Sequence, residues 1–236
     1  MHQHGYSRTV IGPCTHSGRT QDGRGTRRTA TRRDILAAAE ELVLENGLAG
    51  LRTKDLVRRA GVSERTVFNH FDSIEDTALT RIEEYLTPLF SGLDVPADTP
   101  VAELPTAVRD RVLIRLATPA GLECLTGFVH LAAALAPDSG EILTRHVVLT
   151  LTSMGSLASS EVEAEHPQLS LEQQMRLRLY LTNLALGLGL ARPALHHLPR
   201  ETLTPLEVKD RIPPAEELVP HIEWAFQQVD AGLPQL

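Results

Sequence analysis

The sequence predicts an all-α protein in two parts, a compact N-terminal helical head and a longer helical body. Three observations carry that expectation. Between residues 31 and 77 four helix starts follow one another, each a Thr or Ser leading into apolar residues spaced by three and four. From about residue 100 onward, long amphipathic segments alternate with Pro- and Gly-containing breaks. The one stretch rich in β-branched residues, VVLTLTSM at 147–154, keeps a helical rhythm on both sides and has no partner strand in the sequence.

Residues 1–30 hold Gly, Ser, Thr and Arg with almost no large apolar side chains, and are expected to stay a disordered basic arm. The first helix is expected to open at Thr31, where TRRD reads as a capping box with Asp34 in the third helical position. Ile35, Ala39, Leu42 and Val43 then line its apolar face, and Gly47 suits a left-handed cap. Thr53 is expected to cap a second helix with Leu56, Val57 and Ala60 inward, and Gly61 to supply the turn after it. Ser63 caps a third, with Val67, Phe68 and Phe71 inward, and Ser73 with Asp76 starts a fourth that reaches about Phe90. Further helices are expected near residues 100–118, 121–136, 138–166, 170–190 and 214–231, and residues 196–212 read as a loop. The resulting division is an arm at 1–30, a head at 31–76 and a body at 77–236.

Composition bounds the function. With 42% hydrophobic and 22% charged residues the chain can bury a substantial core. Its longest apolar run, residues 184–191, is far short of the roughly 18 residues a membrane helix needs. Cys14 and Cys124 lie far apart, and no apolar segment near the start resembles a signal peptide, so a cytoplasmic protein without a disulfide framework is expected. The net charge of −7 hides an asymmetry: residues 1–33 carry seven arginines and one acid, a balance of +6, which leaves −13 on the remainder.

The stretch TKDLVRRAGVSERTVFNHF, residues 53–71, concentrates the chemistry. A short helix, a glycine turn and a second short helix form a helix-turn-helix, whose second helix enters the DNA major groove. The residue types suit that use. Lys54, Arg58, Arg59 and Arg65 can meet phosphates or guanine edges, Asn69 can read adenine, and Glu64 can accept from cytosine N4. Thr53, Ser63, Thr66 and His70 can donate to backbone oxygens.

These features, in ILAAAEELVLENGLAGLRTKDLVRRAGVSERTVFNHFDSIEDTAL at residues 35–79, resemble the TetR family of transcriptional regulators. The resemblance implies a homodimer with an N-terminal DNA-binding head and a C-terminal body that binds a ligand and dimerises. It implies a phosphate-binding role for Thr53 and His70, a base-reaching role for Lys54, and a groove-facing role for residues 64–66. Two positions depart from the family pattern: Phe68 stands where a tyrosine is usual, and Ile74 where a lysine usually grips a phosphate. The implied regulator is a repressor released from operator DNA when a small molecule in the body changes the spacing of the two recognition helices.

A mainly apolar effector pocket is expected from Leu86, Leu89, Phe90, Val108, Val112, Leu116, Cys124, Phe128, Leu131, His146, Thr150 and Met154, with His130 and His146 as polar anchors. The resemblance implies a dimer interface made by the penultimate long helix and the final one, with Leu184, Gly187, Leu188, Ala191 and Trp224, where glycines 187 and 189 let another helix approach closely. The alternative class, an α-helical enzyme or a helical interaction domain with no DNA role, finds no HExxH, P-loop, nucleophile elbow or paired acidic metal motif. LALGLGLA at 184–191 follows no strand and is not a phosphate loop. MHQH and His196-His197 complete no ligand set, and Cys124 reads as a small core residue, so no metal, cofactor or catalytic group is expected.

Overall fold

The computed structural model describes residues 23–188 and 213–232. The described residues are helical, with no strand among them: α1 (Gly23–Asn46), α2 (Thr53–Ala60), α3 (Glu64–Phe68), α4 (Ile74–Phe90), α5 (Leu104–Leu116), α6 (Pro119–Glu165), α7 (Leu171–Leu188) and α8 (Ala215–Gly232). Short 3-10 turns at Leu48–Gly50 and Val101–Glu103 precede α2 and α5. No single helix among the described residues is long and apolar enough to cross a membrane.

One apolar core runs through the head and the body. In the head, Ile35, Leu36, Ala39 and Val43 of α1 meet Leu56, Val67 and Phe71, so two helices too short to be stable alone are held by the first. α4 leaves the head, packs along α1 and α6, and carries Ile82, Leu86, Leu89 and Phe90 into the core. α6 lies on α4 with its first half and on α7 with its second. Two glycines permit these approaches: a Cβ on Gly127 would stand 2.2 Å from the Tyr85 ring, and one on Gly155 would stand 2.5 Å from the Thr182 backbone. α8 closes the body against α7, α5 and α6.

The punctuation at Gly61, Ser63 and Ser73 is as the sequence predicts. Ser63 Oγ accepts from the Thr66 N–H and Ser73 Oγ from the Asp76 N–H, each at 3.1 Å. Gly61 adopts the left-handed conformation at φ 65° and ψ 29°. Residues 147–154 are helical, inside α6.

Five expectations are corrected. α1 starts at Gly23 and not at Thr31, so residues 23–30 are helical and Thr31 is interior; the remaining arm, 1–22, lies outside the described residues. Arg and Thr residues propagate a helix once α1 is anchored by its core face, and Thr29 Oγ1 donates back to Gly25 O at 3.0 Å. Gly47 has φ 68° but an extended ψ of −170°, so it turns the chain sharply without forming the left-handed cap. Arg52, not Thr53, is the N-cap residue of α2: its carbonyl accepts from the Asp55 and Leu56 N–H groups, which makes Thr53 the first helical residue. Phe68 is 45% exposed, because it follows the buried Val67 and successive helical residues diverge by about 100°. The two helices expected at 121–136 and 138–166 are one, α6, running unbroken past Pro137 for 47 residues. Proline removes one intrahelical hydrogen bond, and the packing of α6 on α4 before it and α7 after it outweighs that loss. The loop expected at 196–212 lies outside the described residues.

Candidate nucleic-acid interface

The exposed side of α2 and α3 is built from the residues left over once the core is filled. Leu56 and Val67 are fully buried and Phe71 nearly so, which fixes the rotation of both helices. The opposite faces carry Lys54, Arg58, Ser63, Glu64, Arg65 and Asn69 in solvent, with Thr53, Thr66 and His70 half-buried beside them. The nine residues expected to touch DNA therefore lie on two adjacent helices joined by the Gly61 turn. Phe68 joins them as an exposed apolar side chain, suited to contact with a thymine methyl group.

Their electrostatic states differ. Among the described residues Lys54 and Arg65 have no ion-pair partner, so both cations are available to an incoming anion. Arg58 is held 2.6 Å from Asp55, and Arg59 is turned back to Glu45 at 2.7 Å and Glu41 at 3.6 Å. Arg59 thus braces α2 on α1, and its guanidinium is pushed further toward the charged form by the hydrogen bond it donates to Glu45. The Ser63 and Thr66 hydroxyls lie 2.7 Å apart and bond to each other, which leaves one hydroxyl proton of the pair for a phosphate.

At the far end of α3 the sequence reading missed Arg32. Its guanidinium donates to the His70 carbonyl at 3.0 Å and lies over the Phe71 ring, 4.4 Å from the centroid. Burial first, and then the charges of Arg28 and Arg32, hold the His70 imidazole below its ordinary pKa. The signal was present in the sequence: Arg28 and Arg32 are four residues apart, on the face that continues through Ile35 and Ala39.

The head meets the body through a polar cluster. Glu40 of α1 accepts from Arg81 Nε at 2.7 Å and from the Tyr85 hydroxyl at 2.5 Å; Arg81 also reaches Glu84 at 2.9 Å and lies over the Tyr85 ring. Burial and the Glu40 hydrogen bond push the Tyr85 phenol above its usual range.

In the body, the residues expected to line a pocket are buried or half-buried. Leu86, Leu89, Phe90, Val108, Val112, Leu116, Phe128, Leu131, Thr150 and Met154 are buried in the shared core, and Cys124 and His146 are half-buried at its margin. His146 Nε2 is 3.1 Å from the Leu79 carbonyl and 3.6 Å from Glu83. Burial, followed by the Glu123 charge, pushes the Cys124 thiol up, toward the inert form. Arg115 donates to the carbonyls of Pro88, Ser91 and Gly92, closing the end of α4.

Part of the expected dimer interface is misplaced. Leu184, Gly187 and Leu188 are buried within the protomer, where Gly187 admits the Phe226 ring of α8, so a monomer does not expose them. Ala191 lies outside the described residues. Trp224 is exposed, and the bare apolar face of α7 is the opposite one, Leu171, Met175 and Leu179.

Residues 35–77 match the family model described as bacterial regulatory proteins, tetR family. No curated protein matches the chain. Among solved structures, a Mesorhizobium loti MAFF303099 protein named as a TetR-family transcriptional regulator is 16% identical over 87% of this chain and 97% of its own, with a TM-score of 0.45. A transcriptional regulator from Rhodococcus sp. Rha1 is 20% identical over 84% of this chain and 96% of its own, with a TM-score of 0.39. The matched segment spans the helix-turn-helix with its supporting helix and the start of α4, so the head is a DNA-binding domain of the kind found in bacterial regulatory proteins of the tetR family.

Proposed function

We propose that the chain is a homodimeric repressor that leaves its operator when a small, mainly apolar molecule enters the body, without chemical turnover of that molecule. The observation that carries this reading is the pairing of an unneutralised face on α2 and α3, with Lys54, Arg65 and Asn69 in solvent, with an apolar body that the head meets through α4 and through the packing of α1 and its following turn on α6. Lys54, Glu64, Arg65 and Asn69 reach base edges; Thr53, Arg58, Ser63, Thr66 and His70 meet phosphates, Arg58 by exchanging Asp55 for a phosphate oxygen. The head comprises residues to about 76 and the body the rest, with the arm ahead of both.

The second copy covers the exposed stripe of Leu171, Met175 and Leu179, spaced by four on α7, together with Trp224 on α8. Two recognition helices about 34 to 36 Å apart then meet successive major grooves. An effector among the core residues of α4, α5 and α6 displaces α4, and the Glu40, Arg81 and Tyr85 cluster carries the displacement to the head. The effector must bind the DNA-incompetent state more tightly, or it shifts nothing.

The test is a gel shift on the DNA upstream of the chain's own gene, repeated after a thermal-shift screen of small molecules. Binding to that DNA, reversed by an apolar compound that also raises the melting temperature, is the expected outcome. Arg65→Ala should lose roughly 1 to 3 kcal/mol of specific binding. An Arg65→Ala protein that keeps both affinity and base preference overturns the recognition-helix assignment.

A further inference from the structure

Resting on that reading of the head, we propose that the N-terminal turns of α1 form a helical phosphate clamp, in which Arg27, Arg28 and Arg33 grip the DNA backbone outside the major groove read by α3. The first core residue of α1 is Ile35, yet the helix begins at Gly23. About three turns, roughly 18 Å of helix, therefore extend past the last apolar contact. Residues 25–29 are all exposed there.

The composition of that extension weakens it as a helix in the isolated head. Residues 23–33 contain five arginines and no acid, and Arg28 with Arg32 places like charges four apart on one face, which opposes helix formation. Among the described residues Arg27, Arg28 and Arg33 have no ion-pair partner, in contrast to Arg58, Arg59, Arg81 and Arg109. Other exposed arginines, Arg65 among them, also have no ion pair among the described residues, but Arg27, Arg28 and Arg33 are grouped within seven residues of one exposed helical segment, where a polyanion can engage them together.

Position says which anion. Arg32 is fastened to the end of α3 through the His70 carbonyl and the Phe71 ring. Arg28 lies one helical turn farther out on the same stripe, about 6 Å along the axis, close enough for its charge to act on the His70 imidazole. The basic turns thus leave the head beside the exit end of the recognition helix. A duplex seated on α3 continues past that end, and its sugar-phosphate backbone is the polyanion available there. Arg32 also has a buried Nε with no hydrogen-bond partner, so it acts as a positioning residue that aims the segment from a fixed anchor.

The test compares full-length protein with the full-length Arg27→Ala, Arg28→Ala, Arg33→Ala triple variant, by fluorescence anisotropy on operator and on random duplex across a salt series. Each phosphate neutralised contributes about 0.9 to the slope of log K against log salt, so two or three engaged arginines per subunit should flatten the dimer's slope by roughly 4 to 5. Operator and random DNA should weaken by similar factors, with base preference unchanged. Phosphate ethylation interference should lose its outermost sites in the variant and keep those facing α3. The substituted side chains are exposed, and circular dichroism checks that the head stays folded. An unchanged salt slope, or lost base preference with an unchanged slope, overturns the clamp. Wild-type protein that binds no DNA overturns the underlying reading as well, and that outcome is visible before the variant is made.

Discussion

Two clusters of the same three side-chain types sit in two different seams. Glu40, Arg81 and Tyr85 join the head to α4; Asp230, Arg109 and Tyr180 join α8, α5 and α7 inside the body. In both, one carboxylate accepts from a phenol and a guanidinium, and burial followed by the carboxylate hydrogen bond pushes the phenol above its usual range. The surroundings differ. Each guanidinium keeps a second carboxylate on its own helix, Glu84 for Arg81 and Asp110 for Arg109, but Glu40 places both of its oxygens on the single helix α4. Asp230 spends one oxygen on α7 and the other on α5, and any displacement of α8 breaks a bond. The first seam ties two helices and the second ties three, so on the proposed effector mechanism the first is the one expected to shift.

Removing the carboxylates tests that contrast most strongly. Asp230→Ala should cost about 3 kcal/mol in urea unfolding, since it strands the nearly buried Tyr180 hydroxyl and half of the Arg109 charge. Glu40→Ala should cost less, about 2 kcal/mol, because the Tyr85 phenol it strands is only half-buried, yet it should change operator affinity measured at saturating dimer. Equal costs with unaltered operator affinity would make both seams merely structural.

The glycines beside the two seams come next. Gly155→Ala drives a methyl group into the Thr182 backbone and should cost near the top of the roughly 1 to 3 kcal/mol typical of overpacking. Gly127→Ala meets the Tyr85 ring, which can swing aside, so its cost should sit near the bottom of that range. Combined with Tyr85→Ala it should be clearly sub-additive, since the ring it strikes is gone. Additive losses would mean that α6 and not the ring gives way.

Deleting single hydroxyls is a finer probe. Tyr180→Phe should lose about 1 to 1.5 kcal/mol and Tyr85→Phe about 0.5 to 1 kcal/mol, because the second phenol is less buried and its guanidinium neighbour keeps Glu40 satisfied. Thermal melts of the two variants should rank in that order; the reverse ranking would contradict the assignment of the tighter seam.

The smallest effect concerns a polar contact belonging to neither seam. Because the His70 pKa is lowered in the free protein, its contribution to stability is complete above its unfolded value of about 6.5 and is lost as pH falls through the depressed folded value. A phosphate beside it favours the protonated ring, so operator affinity should rise modestly as pH drops from about 7.5 to about 6. His70→Gln should flatten that pH profile in anisotropy titrations, while the Tyr85 and Tyr180 variants leave it unchanged.

The sequence by itself determined the helical class, the helix-turn-helix and its punctuation at Gly61, Ser63 and Ser73, because caps, turns and a 3.6-residue period are interactions between near neighbours in the chain. Only tertiary structure decided how far α1 runs before Ile35, that α6 passes Pro137 unbroken, and that Phe71 turns inward while Phe68 faces out. The α7 helix shows the reason most plainly. It is apolar on one side through Leu177, Leu181, Leu184 and Leu188, and on the other through Leu171, Met175 and Leu179. Periodicity reveals that such faces exist, but which of them the chain covers with its own α8 and which it leaves bare depends on contacts between residues far apart in sequence, where no local pattern reaches.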